Sequence, residues 1–257
     1  MNMQLRVLGC SGGIGQERRT TCFQVDNDIL IDSGTGVGEL SLEEMSALRH
    51  IFLTHSHLDH IGGLPLLIDS IFTKIQEPIV IHGLEETIQA LKDFIFNWAI
   101  WPDFSMLPHE KKPVMRFEVM KPGETVDVGG RKLEMIEVNH VVPGVAYCVE
   151  SDAGAIAFSG DTTTNDTLWE ALNKKERLDI LIVETAFPDE LLDLSKLAKH
   201  YCPSLLAEDL KKLKHNPSIY ISHLKPGGEV KILSQLESQV DEHRRLLRLS
   251  NGDVFEL

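Results

Sequence analysis

Cysteine is scarce in this chain: of 257 residues only Cys10, Cys22, Cys148 and Cys202 are cysteines, widely spaced and without a Cys-x-x-Cys pair. That argues against a disulfide scaffold or a sulfur-held redox centre and predicts reduced thiols in a cytoplasmic protein. Long apolar runs are missing too. None approaches the roughly 20 residues needed to cross a bilayer, so no membrane partner is expected. The start, Met1 to Gly9, reads as a strand and not as a signal peptide. Positive charge is in short supply: 25 Lys and Arg face 39 Asp and Glu, a formal net charge of −14, with no basic run. Long nucleic acids are met by basic faces, so this balance weighs against them as partners. Internal repeats and low-complexity tracts are absent.

With 42% hydrophobic residues the chain has enough apolar material for one sizeable core, and a single domain over 1–257 is expected. Strand-like runs dominate 4–8, 21–32, 50–54, 78–82, 115–138 and 145–159, with helical runs between them. This is not the regular strand–helix alternation of a doubly wound parallel sheet; an α/β fold of mixed sheets with helices packed outside fits better. Lys121-Pro122-Gly123-Glu124 and Val128-Gly129-Gly130-Arg131 read as turns within that domain.

The most informative stretch is Thr54-His55-Ser56-His57-Leu58-Asp59-His60. It places four strong metal ligands within six residues, directly after the apolar run Ile51-Phe52-Leu53. Imidazole nitrogens with carboxylate oxygens suit zinc, manganese or iron, whereas a calcium loop would be mostly oxygen. Gly62-Gly63 breaks the chain before the apolar segment 64–75, so the ligands sit on a strand-to-helix loop. Residues two apart in extended chain share a side, which lets His55 and His57 chelate one ion, while a turn at Leu58 swings Asp59 and His60 toward a second. Two ions about 3.5 to 4 Å apart fit such a loop and suit hydrolysis. A solvated His-rich loop is the plain alternative. Against it stand further ligands at strand ends or in loops: His140, Asp161 and His223. For Asp161 alone, Gly-Asp-Thr is also ordinary turn composition.

The ordered set His55-x-His57-x-Asp59-His60, His140, Ser159-Gly160-Asp161 and His223 resembles the metallo-β-lactamase superfamily of binuclear hydrolases over nearly the whole chain. Asp32-Ser33-Gly34, after Ile29-Leu30-Ile31, resembles that superfamily's early Asp-x-Gly turn, which supports the metal loop from behind. The segments His55 to Leu64, Ile182 to Pro188 and Ser222 to Pro226 look most like the class II 3′,5′-cyclic nucleotide phosphodiesterases. The resemblance implies a four-layer αββα sandwich holding two divalent metal ions at one sheet edge, zinc first, manganese or iron as alternatives. It implies His55, His57 and His140 on one metal, Asp59, His60 and His223 on the other, and Asp161 bridging. Asp59, Glu184 and His200 are the expected catalytic residues.

Glu184 closes the apolar run Ile180-Leu181-Ile182-Val183, where a carboxylate at a sheet rim needs a partner. With His200 it resembles the Glu–His pair of the superfamily's phosphodiesterase branch, which orients an imidazole near the scissile phosphate. His200 would then stabilise developing charge or protonate the departing alkoxide. The family often has Gly-His-Leu-Thr or Gly-His-Ser-Thr where this chain has Lys199-His200-Tyr201-Cys202, which leaves the local turn and hydroxyl open. The plain alternative is that His200 merely precedes a helix opened by Pro203 with Leu206, Leu210 and Leu213 as its buried stripe.

These readings lead to a metal-dependent phosphodiesterase in which a metal-bridging hydroxide attacks phosphorus, converting a 3′,5′-cyclic nucleotide into a nucleoside monophosphate. The alternatives are a tRNase Z-like endoribonuclease, then a thioester or lactone hydrolase, then an inactive metal-binding protein. A small diester needs no basic face, since two metals supply the positive charge. Lys225 either reaches an anionic substrate or is solvated. His50, His82, His109, His215 and His243 read as surface or rim residues. The segment 84–113 reads as a helix through Ile88, Leu91 and Ile95, followed by an aromatic stretch from Trp98 to Phe104; its aromatics are expected to stack on a purine, form a homodimer contact or pack in the core, and the segment is a candidate lid.

Overall fold

Strand Ile180–Glu184 shows why the chain stacks in layers. Ile180 and Ile182 join a cluster with Phe23, Phe52, Tyr147 and Phe158, whereas Leu181 and Val183 join another with Trp169, Leu206 and Ile219. A strand that is apolar on both faces must be covered on both. The first cluster fills the space between two sheets, and the second lies under helices.

The structure, a computed structural model, describes residues 2–257, with Met1 outside them. Its strands are β1 (Gln4–Gly9), β2 (Cys22–Val25), β3 (Ile29–Ile31), β4 (His50–Phe52), β5 (Ile79–Gly83), β6 (Met115–Val119), β7 (Thr125–Val128), β8 (Arg131–Val138), β9 (Gly144–Glu150), β10 (Ala155–Phe158), β11 (Ile180–Glu184), β12 (Ser218–Ser222), β13 (Leu246–Arg248) and β14 (Val254–Glu256). They form two seven-stranded sheets, ordered β14-β1-β2-β3-β4-β5-β6 and β13-β12-β11-β10-β9-β8-β7. Both are mixed: β3 to β6 and β10 to β13 run parallel, and the remaining pairs antiparallel.

The helices are α1 (Leu42–Ala47), α2 (Leu58–Ile61), α3 (Leu64–Ile71), α4 (Glu85–Phe94), α5 (Thr167–Leu172), α6 (Leu192–Ala198), α7 (Pro203–Leu210) and α8 (Glu229–Gln239). Leu64, Leu67, Ile68 and Ile71 of α3 and Leu91 of α4 cover the outer face of the first sheet against Leu30, Ile51 and Ile81. Residues of α5, α7 and α8 cover the second. The result is the expected four-layer α/β sandwich. Each fully buried Leu, Ile or Phe in it contributes roughly 1.5–3 kcal/mol of transfer free energy.

Two details depart from the sequence reading. His82 is not on the surface: only 4% exposed, it stacks on Phe52 at 4.2 Å and shares a 3.0 Å hydrogen bond with half-buried His50. Its place on β5, in register with Phe52, turns it inward. The aromatic stretch is divided: Phe104 is buried in the core under α3 and α4 and Trp101 packs against it, whereas Trp98 and Ile100 are exposed.

All four cysteines are free and buried. Burial pushes the thiols of Cys10 and Cys148 up to about 12, and that of Cys22 well above its ordinary value. Because the thiolate is the reactive form, these three are expected to resist a thiol reagent at pH 8 in the folded protein and to react once it is denatured. Rapid native labelling, read by mass spectrometry, would contradict this packing.

Candidate active site

Parallel strands deliver their C-terminal ends to one edge, and this edge collects polar residues from both sheets. Asp32 follows β3 and His55 lies just beyond β4. Asp161 follows β10, Glu184 ends β11 and His223 follows β12; His140 comes from the end of β8, which runs in the direction of β10. The segment after β4 bends at Thr54 and Ser56 and, from an extended His57, turns into α2, so Asp59 and His60 leave on a helical turn.

Two groups result. Ligand atoms of His55, His57, His140 and Asp161 lie within 4.8 Å of one another, as do those of Asp59, His60, Asp161 and His223. All seven residues read from the sequence as ligands are therefore together, and Asp161 is common to both groups. Its carboxylate is 3.7 Å from His55 Nε2, 3.3 Å from His60 Nε2 and 3.2 Å from His223 Nδ1. His55 Nε2, His60 Nε2, His223 Nδ1 and Asp161 Oδ1 are buried with no hydrogen-bond partner. Buried polar atoms are normally paired, and four orphans converging from nitrogen and oxygen donors fit divalent metal ions of the zinc, manganese or iron type.

At three of the imidazoles, burial favours ligation as well. Burial drives His55 well below its usual range, His140 to about 4 and His223 to about 3. Burial thus favours the neutral imidazole, the form that binds a metal. Burial opposes charge on Asp161, but His223, His60 and His55 around it hold its carboxyl well below the usual carboxylate range. Burial likewise opposes charge on His60, yet Asp161 and Asp32 together hold it well above its ordinary value.

The ring nitrogens turned away from the cluster are held by neighbours, which fixes tautomer and orientation. His60 Nδ1 donates to Asp32 at 2.6 Å, and Asp32 also accepts from Thr54 N and Thr54 Oγ1, each at 2.8 Å. His140 Nδ1 donates to the Lys199 carbonyl at 2.9 Å. The turn after Asp32 has no room for a side chain at Gly34, where a Cβ would meet the Asp59 carbonyl at 2.2 Å. The Asp-x-Gly motif thus packs directly on the ligand loop.

Beside the two groups, Glu184 and His200 form a buried pair. His200 Nδ1 donates to Glu184 Oε1 at 2.8 Å, and the same oxygen accepts from Thr162 N at 3.0 Å. Burial works against a charged imidazole, but the Glu184 carboxylate and its hydrogen bond hold His200 above its ordinary value. The His200 ring lies 5.0 Å from that of His140 and 5.2 Å from that of His223. Lys225 Nζ, bonded to the Gly12 carbonyl at 2.7 Å, lies 3.3 Å from His223 Nε2. An open cleft of about 680 Å³ adjoins His140 and Lys199, walled by Leu84, Val119, Asn139 and Val142.

A family model described as class-II cAMP phosphodiesterases matches residues 41–145. A probable 3′,5′-cyclic-nucleotide phosphodiesterase of Yersinia pestis is 28% identical over 80% of this chain and 67% of its own length. The crystal structure of unliganded yeast PDE1 superposes with a TM-score of 0.82 at 20% identity, covering 99% of both chains. This chain has the metallo-β-lactamase fold and is similar to the class-II cyclic-nucleotide phosphodiesterases. Its sequence is also similar to a ribonuclease Z of Pyrococcus abyssi, 32% identical over 46% of this chain and 37% of that protein.

At this site, sequence reasoning passed over Asp209 and left the turn at Lys199 open. Asp209 is buried on α7 and accepts from Tyr201 OH at 2.7 Å, Trp169 Nε1 at 3.1 Å and Asn165 N at 3.1 Å. It anchors the residue after His200, and a buried acid among the apolar positions of that helix was the available signal. Lys199, which departs from the family's glycine, adopts φ 50° and ψ 52° in the left-handed region. No glycine marked that turn.

Proposed function

We propose that this chain is a binuclear metal-dependent phosphodiesterase acting on a small phosphate diester, with a 3′,5′-cyclic nucleotide as substrate and a nucleoside monophosphate as product. The observation that carries the reading is the Glu184–His200 pair set against two ligand groups that share Asp161. His55, His57 and His140 would hold one metal, Asp59, His60 and His223 the other, with Asp161 between them; zinc suits this donor set, with manganese or iron as alternatives. Such ions, when bound, supply positive charge for the phosphate and a water-derived nucleophile at neutral pH.

The chain's own groups do the rest. Glu184 keeps Nδ1 of His200 protonated and the ring fixed, which leaves Nε2 to hold a proton for the departing alkoxide. Asp32 and the Lys199 carbonyl hold His60 and His140 in orientation. The cleft beside His140 has the size of a small-ligand site and would receive the nucleoside. Because two metals carry the positive charge locally, the net charge of −14 is no obstacle to a small anionic substrate. No helix among the described residues is long and apolar enough to cross a membrane. Four free, buried thiols suit a reducing, cytoplasmic compartment.

The similarity to ribonuclease Z supports a second reading, an endoribonuclease using the same pair. The two separate when the metal-loaded protein is assayed on cyclic AMP, cyclic GMP, a chromogenic phosphodiester, a precursor tRNA and a thioester. Hydrolysis of a cyclic nucleotide is expected. Turnover of tRNA alone would establish the second reading, and turnover of the thioester alone would remove both.

A further inference from the structure

Helix α6 ends in an unusual way. Lys199 N donates to Lys196 O and His200 N to Ser195 O, at 3.3 and 3.0 Å, the paired closing bonds of a Schellman turn. Such a turn needs a left-handed residue one place before its end, and glycine normally supplies it. Here the residue is Lys199, and for a residue with a Cβ that conformation costs roughly 1–2 kcal/mol. Two results follow from it at once. The carbonyl of Lys199 points at His140 Nδ1, 2.9 Å away, and His200 emerges against Glu184. The Lys199 ammonium also returns to the same loop, donating to the His140 carbonyl at 3.1 Å. His140 Nε2 is thereby left facing His57 Nδ1 at 3.3 Å, inside the ligand group.

We propose that Lys199 is a positioning residue: its left-handed backbone, by ending α6, turns its carbonyl onto His140 Nδ1 and so fixes the imidazole that completes the group formed with His55, His57 and Asp161. The functional property is the backbone conformation, and the ammonium only fastens the loop. The same turn joins His140 to His200, so the ligand and the proton-holding imidazole are set by one helix stop. This inference rests on reading the cluster as a metal centre.

The test is a metal titration, independent of substrate. Zinc affinity of wild type, Lys199→Gly, Lys199→Asn, Lys199→Arg and Lys199→Val is measured by competition with a chromophoric chelator, with the cobalt(II) absorption spectrum as a second readout and circular dichroism as the check on folding. Glycine enters the left-handed region freely, asparagine readily, and a β-branched residue hardly at all. Lys199→Gly and Lys199→Asn are expected to bind two metals with affinities within about 3-fold of wild type. Lys199→Val is expected to bind one of the two about 10- to 100-fold more weakly, the range for losing a contact that orients a ligand, with an altered cobalt spectrum.

Wild-type affinity in a folded Lys199→Val would overturn the proposal. So would a loss in Lys199→Gly and Lys199→Asn that Lys199→Arg does not share, because charge and not backbone would then be the cause. If wild type itself binds no metal, the metal-centre reading fails first. If it binds two metals yet hydrolyses no diester, the proposed substrate class fails and the role of Lys199 stands.

Discussion

Replacing His200 with alanine is expected to slow phosphodiester turnover by about 10²- to 10⁴-fold, the usual contribution of a positioned acid or base, while two metals stay bound. The ring is buried, its Nδ1 is committed to Glu184, and neither metal-ligand group includes it. Its loss therefore removes a proton donor without removing a ligand. Glu184→Gln is expected to lower turnover in the same direction, because an amide keeps the shape but gives up the charge that favours a protonated imidazole. Steady-state kinetics paired with elemental analysis of bound metal decides the matter. A His200→Ala protein that loses a metal would mean that the imidazole helps to build the centre and has no role in proton transfer.

Asp161→Ala is expected to be more severe. This carboxylate belongs to both groups and lies within 3.7 Å of His55, His60 and His223. Without it, one group keeps three imidazoles and no anion. Turnover should fall by more than the roughly 10²–10³-fold that losing a single electrostatic contact costs, and both metals should be lost on dialysis. Asp161→Asn, which keeps the shape but not the charge, should fall between the alanine variant and wild type. Full retention of both metals in Asp161→Ala would reject its place as the shared ligand.

Much of this site could be read before any coordinates. His55, His57, Asp59 and His60 are close in sequence, so their chemistry concentrates in one motif, and Ile29 to Ile31 and Ile180 to Val183 announce strands whose ends carry Asp32 and Glu184. What escaped depends on tertiary pairing. β13 and β14 are three residues each and largely uncovered; they are strands because β12 and β1 accept them as neighbours. His82 looks like any isolated histidine until register with Phe52 turns it inward. Lys199 is hidden for a different reason. Backbone propensity assigns the left-handed turn to glycine, and here contacts with His140 and the α6 terminus override that preference.

The division of ligands between the sheets has a mechanical consequence. His55, His57, Asp59 and His60 hang from the first sheet, while His140, Asp161 and His223 hang from the second. An ion held by either group would be a stitch across the seam of the sandwich, and Asp161 would carry both stitches. Sliding of one sheet over the other would pull both ligand groups apart, so metal occupancy, on the proposed reading, and the alignment of the two halves would be mechanically one variable.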